Sequence, residues 1–99
     1  MDITYRLQGT EFEWDENKAR SNIQKHGVNF EEAAEVFFDP FFQTGDASID
    51  ESEGRDFIIG YTFSQSLLLA VYTERNNRTR IISARPATRV ERKVYEEAN

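Results

Sequence analysis

A chain of 99 residues with 38% apolar and 13% aromatic content has room for one hydrophobic core, not two, and is too rich in Phe, Tyr and Trp to be compositionally disordered. Cysteine is absent, which excludes disulfides, thiolate metal ligands and a cysteine nucleophile and fits a reducing cytoplasm. The net charge of −6 argues against the whole surface serving a polyanion; with no signal-peptide pattern and no apolar run of the roughly 20 residues a membrane helix needs, a cytoplasmic protein without a membrane partner is expected.

Ile3 to Trp14 alternate weakly around Gly9 and predict one or two short strands. A helix from about Glu16 to His26 follows. Asp15 is its N-cap, Trp14 and Ala19 sit at staple positions, and Gly27 stands where a left-handed C-terminal residue belongs. The line Ala19, Ile23, His26 predicts that His26 lies on the inward stripe of its last turn. A second helix is capped by Asn29 with Glu32 completing a capping box. It presents Phe30, Ala33, Ala34, Phe37 and Phe38 on one face and ends at Asp39-Pro40.

The acidic stretch from Gly45 to Gly54 reads as a mobile loop between a short edge strand and the main sheet. Three strands, Asp56 to Phe63, Leu67 to Thr73 and Arg78 to Ala84, then form an antiparallel meander. The run Leu67 to Val71 lacks alternation, as a central strand covered on both faces would. A last helix, starting between Pro86 and Arg89 and ending near Ala98, offers the stripe Ala87, Val90, Val94, Ala98 as a cover. These elements predict a single α+β domain over residues 1–99: two N-terminal helices packed on an antiparallel sheet of about four strands, with a C-terminal helix.

One histidine, no cysteine and scattered carboxylates give no metal-ligand cluster, and no Gly-rich phosphate loop, nucleophile elbow or dinucleotide fingerprint is present, so neither metal nor cofactor is expected. Charge is the informative pattern. Residues 1–74 carry five Lys/Arg against fifteen Asp/Glu, whereas residues 75–93 carry seven against one. Arg75, Arg78, Arg80, Arg85, Arg89 and Arg92 suit a phosphodiester, because guanidinium groups bind phosphate bidentately and stay charged. The competing reading is a surface that pairs with the protein's own acidic part. Strand alternation places Arg78 and Arg80 on one face and Arg85 on the other unless a bulge intervenes. An arginine among apolar strand residues, such as Arg80, must reach the sheet edge or find a carboxylate.

Histidine is the default side chain for moving a proton near neutral pH, which makes His26 a candidate; capping the carbonyls at its helix end is the alternative. Glu91 reads as the capping-box partner of Thr88, one turn from Tyr95. Tyr61 and Tyr72 supply core mass or a base-stacking surface.

Taken together, Phe12-x-Trp14-Asp15, Lys25-His26-Gly27-Val28-x-Phe30, Asp39-Pro40, Arg55, Gly60, Arg80-Ile81-Ile82-Ser83-Ala84-Arg85-x-Ala87, Glu91-Arg92 and Tyr95 resemble BrnT-type toxins of bacterial type II toxin-antitoxin modules. The resemblance spans nearly the whole chain. It implies a RelE-like fold, a metal-independent endoribonuclease that inhibits translation, and neutralisation by a BrnA-like ribbon-helix-helix antitoxin that carries operator-DNA binding for the complex. The catalytic candidates it implies are His26, Arg55, Arg75, Arg80 and Arg85. Arg78, Arg89, Arg92 and Tyr72 remain as RNA-binding candidates. An alternative is a homologue that is catalytically weak or inactive and acts through antitoxin binding and operon autoregulation.

Overall fold

A computed structural model describes residues 1–47 and 54–98. Strands β1 (Asp2–Leu7) and β2 (Thr10–Asp15) form a hairpin, followed by helices α1 (Glu16–His26) and α2 (Phe30–Glu35). A 3-10 turn, Val36–Phe38, continues α2. Then come β3 (Gln43–Asp46), β4 (Asp56–Tyr61), β5 (Leu67–Arg75), β6 (Arg78–Pro86) and α3 (Arg89–Glu97). The acidic loop expected from Gly45 to Gly54 falls mostly on residues 48–53, outside the described residues, while Gly45 itself belongs to β3.

The sheet corrects the expected count and direction. It has six strands in the order β1-β2-β6-β5-β4-β3, and it is mixed. The N-terminal segment forms a complete hairpin because Gln8 and Gly9 both take positive φ (50° and 81°), the geometry that a two-residue connection between twisted strands requires. Asn76 and Asn77 do the same between β5 and β6 (54° and 61°). The one parallel pairing, β2 with β6, is short, with Phe12 opposite Thr79 and Glu13 opposite Arg80. β2 leaves the ladder at Asp15, whose carboxylate accepts from the Lys18 amide and starts α1.

Beyond that point β6 needs another partner, and α1 supplies one. Asn22, buried at 5% exposure, accepts from the Ala84 amide at 3.1 Å and donates to the Ala84 and Val28 carbonyls at 2.8 and 2.9 Å. One side chain thereby replaces a missing strand. Asn22, not His26, marks the inward face of α1: Ile23 and His26 are exposed, because α1 approaches the sheet through its small and polar residues.

Helices α1 and α2 cover one face of the sheet over a core of Phe12, Trp14, Phe30, Ala33, Ala34, Val36, Ile58, Leu68, Ala70, Ile81 and Ala84. The other face is covered in part by α3, through Tyr95 against Ile59 and Leu67. The expected stripe on α3 is therefore displaced. Val90 and Val94 are 71% and 48% exposed, and the side chain that docks is Tyr95. Its ring stacks edge-on against Tyr61 at 5.4 Å, and its hydroxyl donates to Asp39 Oδ2 at 2.6 Å. The phenol carries its own polar anchor, which an aliphatic stripe does not.

Candidate active site

Register decides where the arginines point. Tyr72 pairs with Ile81 but Val71 pairs with Ser83, so Ile82 is an extra residue in β6. With the bulge, Ile81 and Ala84 both face the helix-covered core, and Arg78, Arg80 and Arg85 share the opposite face. The split that uninterrupted alternation would impose does not occur.

On that face, beyond the reach of α3, lies a charge cluster built from four strands, β1, β2, β5 and β6. Arg80 Nη1 donates to Glu13 Oε2 at 2.8 Å, and its two terminal nitrogens reach the Asp2 carboxylate at 3.1 and 3.2 Å. Arg75 approaches Glu13 at 3.6 Å and Asp2 at 4.0 Å, and Arg78 lies 3.8 Å from Glu13. Glu13 is buried between Phe12 and Trp14 on β2, whereas Asp2 sits near the start of an edge strand and is half exposed. The hydrogen bond from Arg80 holds the Asp2 carboxyl below the usual carboxylate range. Arg80, only 17% exposed, is the centre of the cluster, and both carboxylates raise its already high pKa.

Beside the cluster an open depression of about 390 Å³ is lined by Lys18, Gly54, Arg55, Thr73, Arg75, Arg80 and Ile82. Four cationic side chains from α1, the segment before β4, β5 and β6 thus border one concavity. Lys18 and Ile82 also line a second depression with Ser21, Asn22, Lys25, His26 and Ser83. His26 in turn lines a third with Arg92, Gln65, Ser66 and Pro86. The three share walls and follow α1 from the arginine cluster to the start of α3.

The remaining candidates lie elsewhere. Arg85 makes a bidentate pair with Glu91 at 2.7 and 2.8 Å, which holds the Glu91 carboxyl down at about 2, and Glu91 also closes the Thr88 capping box at the start of α3. Arg92 donates to the Tyr61 hydroxyl at 3.1 Å, and Arg89 is exposed on α3. Tyr72 packs edge-on against Phe37 at 5.0 Å on the helix-covered face, away from the arginines; burial raises its pKa. Its surroundings are those of the core reading. The structure brings Arg55, Arg75 and Arg80 together, places Arg78 against Glu13, the carboxylate that Arg75 and Arg80 share, and sets His26 in an adjoining depression.

Three residues of the site carry no strong sequence signal. Lys18 is one more polar residue in a first helical turn. Glu13 had a faint signal, a carboxylate between Phe12 and Trp14, but its partner could be found only by knowing that β2 lies beside β6. Asp2 depends on that pairing as well, because β1 lies near β6 only by way of β2. Among the described residues no group of three or more His, Cys, Asp or Glu side chains converges as metal ligands would.

Residues 14–91 match the family described as the ribonuclease toxin, BrnT, of type II toxin-antitoxin systems. The chain belongs to the BrnT family. The crystal structure of the Brucella abortus ribonuclease toxin BrnT is similar in fold, with a TM-score of 0.60 and 23% identity over 77% of this chain and 94% of that one. No characterised protein sequence gives a significant match to the chain. The BrnT match begins at Trp14, so β1 and most of β2 precede it.

Proposed function

We propose that this BrnT-family chain is an endoribonuclease toxin that needs no metal, and that its catalytic concavity is the depression bordered by Lys18, Arg55, Arg75 and Arg80. The convergence of four cationic side chains on one open surface of a chain from a ribonuclease-toxin family carries this reading. In the proposed reaction a ribose 2′-oxygen attacks the adjacent phosphorus and the bond to the 5′-oxygen breaks. The 2′-hydroxyl proton leaves to a base, and a proton reaches the departing 5′-oxygen. The products are a 2′,3′-cyclic phosphate and a 5′-hydroxyl.

Arg80 and Arg75 stabilise the extra negative charge on the phosphorane, the step at which fixed cations act most strongly. Arg55 and Lys18 hold the flanking phosphates, and His26, one depression along α1, is the candidate for proton transfer. Arg78 on β6 and Arg92 on α3 extend the positive field to either side. Arg85, tied to Glu91, braces the start of α3. The remainder of the reading is a RelE-like toxin acting in the cytoplasm on translation, neutralised by a BrnA-like ribbon-helix-helix antitoxin that alone brings the complex to operator DNA. No helix among the described residues is long and apolar enough to cross a membrane.

Purified protein incubated with RNA in EDTA should produce cyclic-phosphate ends, and Arg80→Ala should slow cleavage by about 100-fold, the usual cost of one oxyanion-stabilising group. Intact RNA at high enzyme excess would overturn the reading.

A second reading has its own observation. Arg75, Arg78, Arg80 and Arg85 are each already ion-paired within the chain, as a module kept for antitoxin binding and autoregulation would allow. Induced expression without the antitoxin separates the two: continued growth and intact protein synthesis favour the binding module.

A further inference from the structure

The two carboxylates that hold Arg80 are not equivalent. Glu13 is 7% exposed in its side chain, on an inner strand, and it meets Arg75, Arg78 and Arg80 together. Withdrawing it would strand a buried negative charge and three cations, a change that is strongly unfavourable. Asp2 is 52% exposed and belongs to the edge strand β1; its contacts to Arg80 and Arg75 can be exchanged for water at little cost. Its two oxygens meet the two terminal nitrogens of Arg80 in a side-by-side fork, the same geometry in which a guanidinium takes two oxygens of a phosphate.

We propose that Asp2 is an internal stand-in for a phosphodiester: it occupies the anion position on Arg80, and single-stranded RNA engages the site by displacing it while Glu13 keeps the guanidinium in place. This inference rests on the reading of the depression as the RNA site and adds its regulation. Arg75 lies within 4.0 Å of the Asp2 carboxylate and lines the depression with Arg80, so an anion replacing Asp2 meets both guanidinium groups and has Arg55 and Lys18 across the cavity. Charge explains why a stand-in matters. A chain with net charge −6 gains little long-range attraction for RNA, so the competition at Arg80 sets how much of the local positive potential the substrate feels. Asp2 lies on β1, ahead of residues 14–91 that match the BrnT family.

The test measures affinity for a mixed-sequence RNA 12-mer with 2′-O-methyl sugars, which binds without being cut. Asp2→Asn should tighten binding roughly threefold to fivefold, the range open to an exposed ion pair, and Asp2→Ser, too short to reach Arg80, should tighten it at least as much. The dependence on salt should steepen, since one more cation becomes available to phosphate. Glu96→Gln, on the exposed surface of α3, makes the same change in net charge and should leave affinity unaltered. In an Arg80→Gln background the gain from the Asp2 substitutions should largely disappear, leaving only what the 4.0 Å contact to Arg75 contributes.

Circular dichroism and thermal melting of each variant establish that β1 is retained. Equal affinity of wild type, Asp2→Asn and Asp2→Ser would overturn the inference, as would an equal gain from Glu96→Gln or a lack of binding by every variant. Cleavage of unmodified RNA is scored separately. Tighter binding without cleavage by any variant sinks the ribonuclease reading and keeps the stand-in; cleavage with unchanged affinity does the reverse.

Discussion

Asn22→Leu should be among the most damaging single changes on α1, although Asn22 touches neither the arginines nor any proposed substrate. The replacement is nearly isosteric but removes three hydrogen bonds of 2.8 to 3.1 Å to the backbone of Ala84 and Val28. Each is worth about 1 kcal/mol net, and the stranded Ala84 amide adds a desolvation cost of about 1–3 kcal/mol, offset in part by burying the apolar side chain. A loss of about 3 kcal/mol follows, which lowers the melting temperature of a chain this size by more than about 10 °C. Urea unfolding gives the free energy directly, and hydrogen exchange at the Ala84 amide should accelerate more than exchange in β4. Because Asn22 fixes α1 to β6, and α1 carries Lys18 and His26, RNA cleavage should also fall at temperatures where the variant remains folded. A destabilisation below about 1 kcal/mol would show that water or a neighbouring group replaces the bonds and that α1 is not held in this way.

The Arg85–Glu91 pair should appear in the pH dependence of stability. Glu91 titrates at about 2 in the folded protein and near its ordinary 4.5 when unfolded, so its contribution is complete above pH 4.5 and is lost as pH falls towards 2. The shift corresponds to at most about 3 kcal/mol, reduced to about 1–2 by solvent screening at the surface. Asp2 and Asp39 are depressed as well, so the informative quantity is the difference between wild type and Glu91→Gln. It should shrink across that window, and chemical denaturation at pH 6 and pH 3 tests it. Gly60→Ala should cost about 1–3 kcal/mol in urea unfolding, because the new Cβ would lie 2.9 Å from the Val36 carbonyl oxygen, a backbone atom that cannot rotate away, and 3.2 Å from the Val36 Cβ.

Local chemistry was readable in the sequence and pairing across the sheet was not. Asp15, Asn29 and Thr88 cap their helices as expected because a cap depends on residues within one turn, and Gly27 ends α1 with φ of 69° for the same reason. The β4-β5-β6 meander also followed from its turns. The β2–β6 pairing joins residues 67 apart in sequence, and no local pattern encodes it, so the partnership of Glu13 with Arg80 was hidden. On α3 the stripe Val90–Val94 gave way to Tyr95, since docking there depends on a hydroxyl reaching Asp39 and not on apolar periodicity. The arginine-rich segment was legible as a concentration of charge. Of the alternatives the sequence offered, the structure shows the self-paired surface, and the phosphate face is what is proposed for the same side chains.

Ile82 gives β6 an odd residue that the ladder does not need. Were it removed, Ser83 would follow Ile81 directly, and each of Arg80, Ile81, Ala84 and Arg85 would still face the side it faces now. The core would not register the loss. What the extra residue contributes is relief: it bends the strand where α1 passes and forms a wall common to the arginine depression and the one that contains His26. A regular strand could hold this fold together, but the spur at Ile82 is where the two proposed halves of the chemistry, charge and proton, come to share a border.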